Sequence, residues 1–165
     1  MFEESIKLLN QGIGDELGAV HQYMYFHFQC DNQGLNLFSG LFKRAAIDEM
    51  IHIEKLADRI LFLKGEVELK TSEEVLKISD VKEMIIKAKK MEEDAIFFYN
   101  KCAMECASQA DSVTKKLFED MVVDEEGHYA QYDSEHGKLE KYGEKYLVLQ
   151  SIESSKPSSQ TTHEQ

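Results

Sequence analysis

Residues 47–52 read IDEMIH and residues 124–128 read DEEGH, two strings that each set a glutamate three residues before a histidine: Glu49 with His52, and Glu125 with His128. On an α-helix, residues three apart project to neighbouring positions, so each pair can offer an oxygen and a nitrogen to one metal ion. A single Glu-x-x-His carries little weight, because roughly one such match is expected from composition alone. The spacing carries more. Glu16 precedes Glu49 by 33 residues and Glu92 precedes Glu125 by the same 33, so the chain contains one pattern twice. The midpoint of the interval falls near Asn32 and Gln33 in one half and near Ser108 and Gln109 in the other. Two antiparallel helices joined at each midpoint bring the paired glutamates to one height, about 25 Å from the turn at 1.5 Å per residue.

Around these strings the apolar period is helical. Ile6, Leu9, Ile13, Glu16, Val20, Tyr23 and His27 recur at steps of three and four, and this first stripe ends at the turn signal Asp31-Asn32-Gln33-Gly34. A second helix is expected over residues 36–64, with Phe42, Ala45, Glu49, His52, Leu56 and Leu63 on one stripe and Gly65 as its stop. Residues 66–79 hold no sustained stripe and read as a long connection. A third helix, N-capped by Ser79 or Asp80, is predicted to run to about Ala110 through Ile85, Ala88, Glu92, Ala95, Tyr99, Cys102 and Cys106. A turn at Asp111 and Ser112 leads into a fourth, through Phe118, Met121, Glu125, His128 and Tyr132 toward Leu139, with Gly137 a weak point. After Gly143 comes a brief apolar helix from Glu144 to about Ile152.

The fold expected is all-α: an antiparallel four-helix bundle over residues 1–152, with one long crossover connection and a short fifth helix at its C-terminal end. A connection of about fourteen residues spans a bundle when extended, which sets the second hairpin's carboxylates level with the first's. Residues 153–165 are polar, hold the chain's one proline, and predict a disordered tail.

The charge balance narrows the function classes. A formal net charge of −12 repels phosphate backbones and anionic lipid, which argues against nucleic acid and membrane partners. The opening residues lack the basic start and apolar run of a secretory signal, and no stretch has the apolar length of a membrane span, so a cytoplasmic location is expected. Cys30, Cys102 and Cys106 are odd in number and form no C-x-x-C pair. They are expected as reduced thiols rather than a disulfide framework or a zinc site.

Glutamates occupy four stripe positions where leucine would be ordinary, and ionised carboxylates are almost never buried without a charge partner or a metal. Four carboxylates and two imidazoles meeting inside the bundle give an oxygen-rich set with one histidine per metal, which suits iron or manganese better than structural zinc. Two metals are implied. A glutamate from each of two helices plus a Glu-x-x-His from each of the other two is the known ligand set of di-iron carboxylate bundles.

Over essentially residues 1–152 the sequence resembles the bacterioferritins. The strings DELGAVHQY at 15–23, IDEMIH at 47–52 and DEEGH at 124–128 are similar to that family's ligand segments, with the spacing between them kept. The resemblance implies a ferritin-like bundle in which Glu16 and His52 complete one iron, Glu92 and His128 the other, and Glu49 and Glu125 bridge the two irons of each subunit. It implies iron storage and detoxification: a ferroxidase that oxidises Fe(II) with oxygen or peroxide and deposits mineral inside a hollow shell of 24 identical subunits built from two-fold dimers. It further implies haem shared between two subunits and held by Met50 from each, and a ferredoxin-type electron donor for iron release. Met50, next to Glu49, points about 100° away from the metal face. An accessory iron site found in some members needs a histidine four residues before an aspartate; here Asp48 is kept, but Arg44 stands at the histidine's place.

Other residues take plainer readings. Glu93 and Glu126 lie off their stripes as solvated charges, and His21, His136 and His163 have no partner pattern. His27, about three turns beyond Glu16, reads as a core or channel residue. Tyr23 and Tyr99, each seven residues after a lone glutamate, read as packing residues that hydrogen-bond a ligand carboxylate. Cys102 and Cys106 read as small buried thiols, with a soft metal or redox pair as the alternative. Three functions compete: an iron-storing ferroxidase, a di-iron oxidase or peroxidase of the rubrerythrin-like class without mineral storage, and a helical interaction module. A rubrerythrin-like protein would usually add a four-cysteine iron domain, and an interaction module leaves the recurring buried carboxylates without a cause.

Overall fold

The computed structural model describes residues 2–154. Its five helices are α1 (Glu3–Asn32), α2 (Asn36–Phe62), α3 (Val81–Ser108), α4 (Ser112–Tyr142) and α5 (Glu144–Ser154). The fifth reaches Ser154, and residues 155–165, where most of the expected tail falls, lie outside the described residues.

Helices α2 and α3 each stop two residues before the sequence-based limit, for a backbone reason. Lys64 and Ala110 adopt φ of 63° and 59°, a left-handed conformation that cannot continue a helix. The amide one residue further on turns back to the helix's last turn, Gly65 N to Ile60 O and Asp111 N to Cys106 O, each at 2.9 Å. Gly34, at φ 72°, closes α1 in the same way through Leu35 N to Cys30 O. Asp80 and Asp111 cap α3 and α4, their side chains accepting from the amides of Glu83 and Thr114.

Helix α1 packs chiefly on α2, and α3 on α4, giving two hairpins. Cys30, near the end of α1, meets Met84 near the start of α3, while Ser5 at the start of α1 meets Cys106 near the end of α3. These two helices therefore run antiparallel, which requires residues 66–80 to climb the whole bundle. That strap follows α1. Asn10 donates to Glu66 O and accepts from Glu68 N, and Gln22 both donates to Leu76 O and accepts from its amide. Between these clamps Ser72 N donates to Gly14 O at 3.1 Å. A Cβ on Gly14 would stand 3.0 Å from Lys70 O, so glycine is what lets the strap lie against the helix here.

The core divides in two. One cluster gathers Tyr23, Phe26, Phe38, Phe42, Met84 and Tyr132, the other Leu9, Ile13, Leu56, Ile60, Phe118 and Met121. Each such side chain contributes roughly 2 kcal/mol on burial. Packing on both sides thus offsets the cost of the polar layer held between them.

Candidate metal centre

That polar layer is built from one residue type per helical position. Glu16 comes from α1, Glu49 and His52 from α2, Glu92 from α3, and Glu125 and His128 from α4; all are buried except His128, which is partly exposed. Ligand atoms of Glu16, Glu49, His52 and Glu125 lie within 4.8 Å of one another, and so do those of Glu49, Glu92, Glu125 and His128. Glu49 and Glu125 belong to both groups. All six residues singled out from spacing are thus brought together.

The histidines aim the same nitrogen inward. His52 Nδ1 stands 2.9 Å from Glu49 Oε2, 3.0 Å from Glu125 Oε1 and 3.5 Å from Glu16 Oε1. His128 Nδ1 stands 3.0 Å from Glu125 Oε2, 3.2 Å from Glu49 Oε1 and 3.8 Å from Glu92 Oε2. Both oxygens of Glu49, Oε1 of Glu125 and Nδ1 of His52 are buried without a hydrogen bond of proper geometry. Carboxylate oxygens and ring nitrogens converging on one point are what a cation binds, and such atoms are costly to bury without one.

Each ring's other nitrogen faces an aspartate on the opposite hairpin. His52 Nε2 meets Asp124 Oδ2 at 3.2 Å, and His128 Nε2 meets Asp48 Oδ2 at 3.4 Å. A carboxylate on Nε2 would hold a proton there when a metal takes Nδ1. The tyrosines cross over in the same sense: Tyr23 donates to Glu92, and Tyr99 donates to Glu16. Sequence reasoning anticipated a tyrosine–carboxylate bond but missed that each joins the two hairpins. It also missed the aspartates as histidine partners, although an aspartate directly precedes the Glu-x-x-His in both halves. Tyr132, buried against Tyr23 with its hydroxyl unbonded, was passed over as a stripe residue.

Electrostatics follow from burial. It raises Glu16 well above the ordinary carboxylate value, helped by the neighbouring Glu49 charge, and pushes Glu92 up to about 8. Burial also raises Glu125, but hydrogen bonding from His128 and His52 outweighs it and holds this carboxyl low. For both imidazoles burial opposes the charge, yet the surrounding glutamates win and the rings are held protonated.

The remaining candidates fall elsewhere. Met50 is 53% exposed on the outer face of α2, flanked by the exposed Ile47 and Ile51. Asp48 turns to His128. His27 bonds the carbonyl and hydroxyl of Ser39 near the end of the bundle, and His136 faces Glu140. Glu93 and Glu126 are exposed; His163 lies outside the described residues. The three cysteines are free and buried, and burial pushes the thiols of Cys30 and Cys102 up to about 12. Among the described residues no helix is long and apolar enough to cross a membrane.

A family model described as a ferritin-like domain matches residues 6–142. The chain is 32% identical to a bacterioferritin of Desulfovibrio desulfuricans over 87% of its own length and 80% of the relative's. It is 33% identical to a bacterioferritin of Brucella melitensis over 84% and 86%, and 30% identical to one of Rhodobacter capsulatus over 87% and 89%. With a four-helix bundle, a short fifth helix and a buried carboxylate–histidine centre at its middle, the chain belongs to the bacterioferritins of the ferritin-like family.

Proposed function

We propose that this protein is an iron-storing ferroxidase whose substrate, Fe(II), binds as a pair within each subunit. The observation that carries the reading is the sharing of Glu49 and Glu125 between two four-residue groups. In this account Glu16 and His52 hold one iron, Glu92 and His128 the other, and Glu49 and Glu125 bridge them. Two irons held together can give up two electrons to one oxygen or peroxide molecule. The protein's part is to position and to dehydrate. Asp124 and Asp48 orient the imidazoles, Tyr99 and Tyr23 hold the carboxylates of Glu16 and Glu92, and the apolar clusters on either side keep bulk water out. Protons held by Glu16, Glu92 and the two rings leave as cations arrive.

One bundle cannot enclose mineral, so storage calls for a closed oligomer, read here as 24 subunits built from two-fold dimers. The exposed apolar residues Ile47, Met50 and Ile51 on one face of α2 fit such a contact. Met50 is suited to hold haem there with its copy from a second chain, since a thioether on both sides favours reduced iron and could pass electrons from a ferredoxin-type donor to the mineral. The location proposed is the cytoplasm.

Two experiments test this. Purified protein mixed with Fe(II) and oxygen is expected to show a fast phase saturating at two irons per chain. Glu49→Ala or Glu125→Ala should abolish it, and a wild-type rate in either variant would overturn the assignment. Met50→Leu keeps volume and helix propensity, so it should leave assembly near 24 subunits by analytical ultracentrifugation while removing haem absorbance after reconstitution. Equal haem occupancy in both proteins would exclude Met50.

A further inference from the structure

Each imidazole of the centre rests its outer nitrogen on an aspartate of the other hairpin, but the two aspartates carry different loads. Oδ2 of Asp124 faces two donors at once, His52 Nε2 and Lys55 Nζ, each at 3.2 Å. Oδ2 of Asp48 faces His128 Nε2 at 3.4 Å, and among the described residues Asp48 pairs with no lysine or arginine. Arg44, one turn before Asp48 on α2, reaches the other way: its Nη1 lies 3.2 Å from where a Cβ on Gly40 would stand. At the interval that relates Glu16 to Glu92, the counterpart of Lys55 is Gln131, which carries no charge. Lys55 thus distinguishes two otherwise duplicated histidine–aspartate pairs.

An imidazole that binds metal through Nδ1 keeps its proton on Nε2, and the more negative the acceptor of that proton, the better a donor Nδ1 becomes. An ammonium group on the same carboxylate oxygen weakens that acceptor. His52 is therefore the poorer donor and His128 the better one, while each side is otherwise served by one glutamate of its own and the same two shared ones. Both aspartates are about half exposed, Asp124 at 44% and Asp48 at 51%, so solvent screens them alike and does not cancel the difference.

We propose, resting on the reading of the centre as a two-metal site, that Lys55 is a positioning residue that acts through Asp124 and His52 to make the two metal positions unequal. The first divalent cation then settles with Glu92 and His128, and the pair is completed at Glu16 and His52. Losing an outer partner outright changes metal affinity by about 10–100-fold, and sharing it with a partly exposed lysine should change it by less, on the order of fivefold.

The test is anomalous X-ray scattering from crystals of the assembled protein equilibrated with Co(II) at one ion per chain, the peak heights giving the occupancy of each position. In the wild type the peak at Glu92 and His128 should exceed that at Glu16 and His52 by on the order of fivefold. Lys55→Met keeps most of the apolar stem and removes the charge, so it should bring the two peaks near equality. Asp48→Asn weakens the acceptor on the other side and should reverse the preference. Arg44→Gln, a cation of α2 that does not touch either aspartate, serves as control and should keep the wild-type ratio. Equal peaks in the wild type, or a ratio that Lys55→Met leaves unchanged, with every peak touching Glu49 and Glu125, would overturn the inference and leave the centre standing. Cobalt bound without either shared glutamate would overturn both.

Discussion

The two hairpins carry the same candidate ligands in different surroundings. Glu16, Tyr23, Asp48, Glu49 and His52 of the first recur at one constant interval as Glu92, Tyr99, Asp124, Glu125 and His128 of the second. Their neighbours do not: Ala45, Met50 and Leu56 correspond to Met121, Glu126 and Tyr132. The candidate ligand positions demand particular donor atoms, whereas the packing positions demand only that volumes sum across the interface, so one position holds a small residue in one half and a larger one in the other. The outer position demands neither, and there an exposed methionine on one hairpin answers an exposed glutamate on the other. The centres also differ in exposure. His52's side chain is 3% exposed and His128's is 14%.

That difference predicts unequal costs for equal substitutions. In the metal-free protein His52→Ala leaves Glu49 and Glu125 buried without the charge that faces them, a loss of about 3 kcal/mol, whereas water can reach part of the His128 site and His128→Ala should cost less. Thermal unfolding of the two variants checks the order. Equal losses, or a larger loss from His128→Ala, would mean that the halves are energetically alike.

A next effect comes from the protons that both hairpins share. The folded carboxyls of Glu16 and Glu92 titrate above the unfolded value of 4.5, and the rings of His52 and His128 above 6.5, so between about pH 5 and pH 8 the folded state holds more protons than the unfolded chain. Stability of the metal-free protein should therefore fall as pH rises through that window. Glu125, held low, completes its change below the window and does not offset the trend. Bound Co(II) replaces those protons, so the gap in Tm between metal-loaded and metal-free protein should widen with pH. A metal-free Tm that rises across the window would contradict the proton-filled centre.

The smallest expected effect lies at the two hairpin turns, where Gly34 and Ala110 are equivalent and both left-handed. Ala110→Gly relieves a Cβ clash and should stabilise by up to about 1 kcal/mol, while Gly34→Ala should cost about the same. Chemical denaturation of each variant measures both, and the same sign in both would show that something other than backbone strain governs the turns.

Much of this molecule was legible as sequence because the helical period and the repeated interval are local or nearly so. Six candidate site residues stood out as glutamates and histidines on otherwise apolar stripes. What escaped depends on how one hairpin is rotated against the other, which no period within a helix determines. Tyr23 shares a face with Glu16 yet bonds Glu92, and Asp48 sits beside Glu49 yet serves His128. Residues 66–79 read as a connection, but no helical period marks Asn10 and Gln22 as the amides that pair with its backbone.

The central claim is that two cations share Glu49 and Glu125, and anomalous X-ray scattering from crystals loaded anaerobically with Fe(II) tests it most directly. The account predicts two iron peaks per chain, both contacting Glu49 and Glu125, one also bound by Glu16 and Nδ1 of His52 and the other by Glu92 and Nδ1 of His128. A single peak, or iron bound without either shared glutamate, would contradict it.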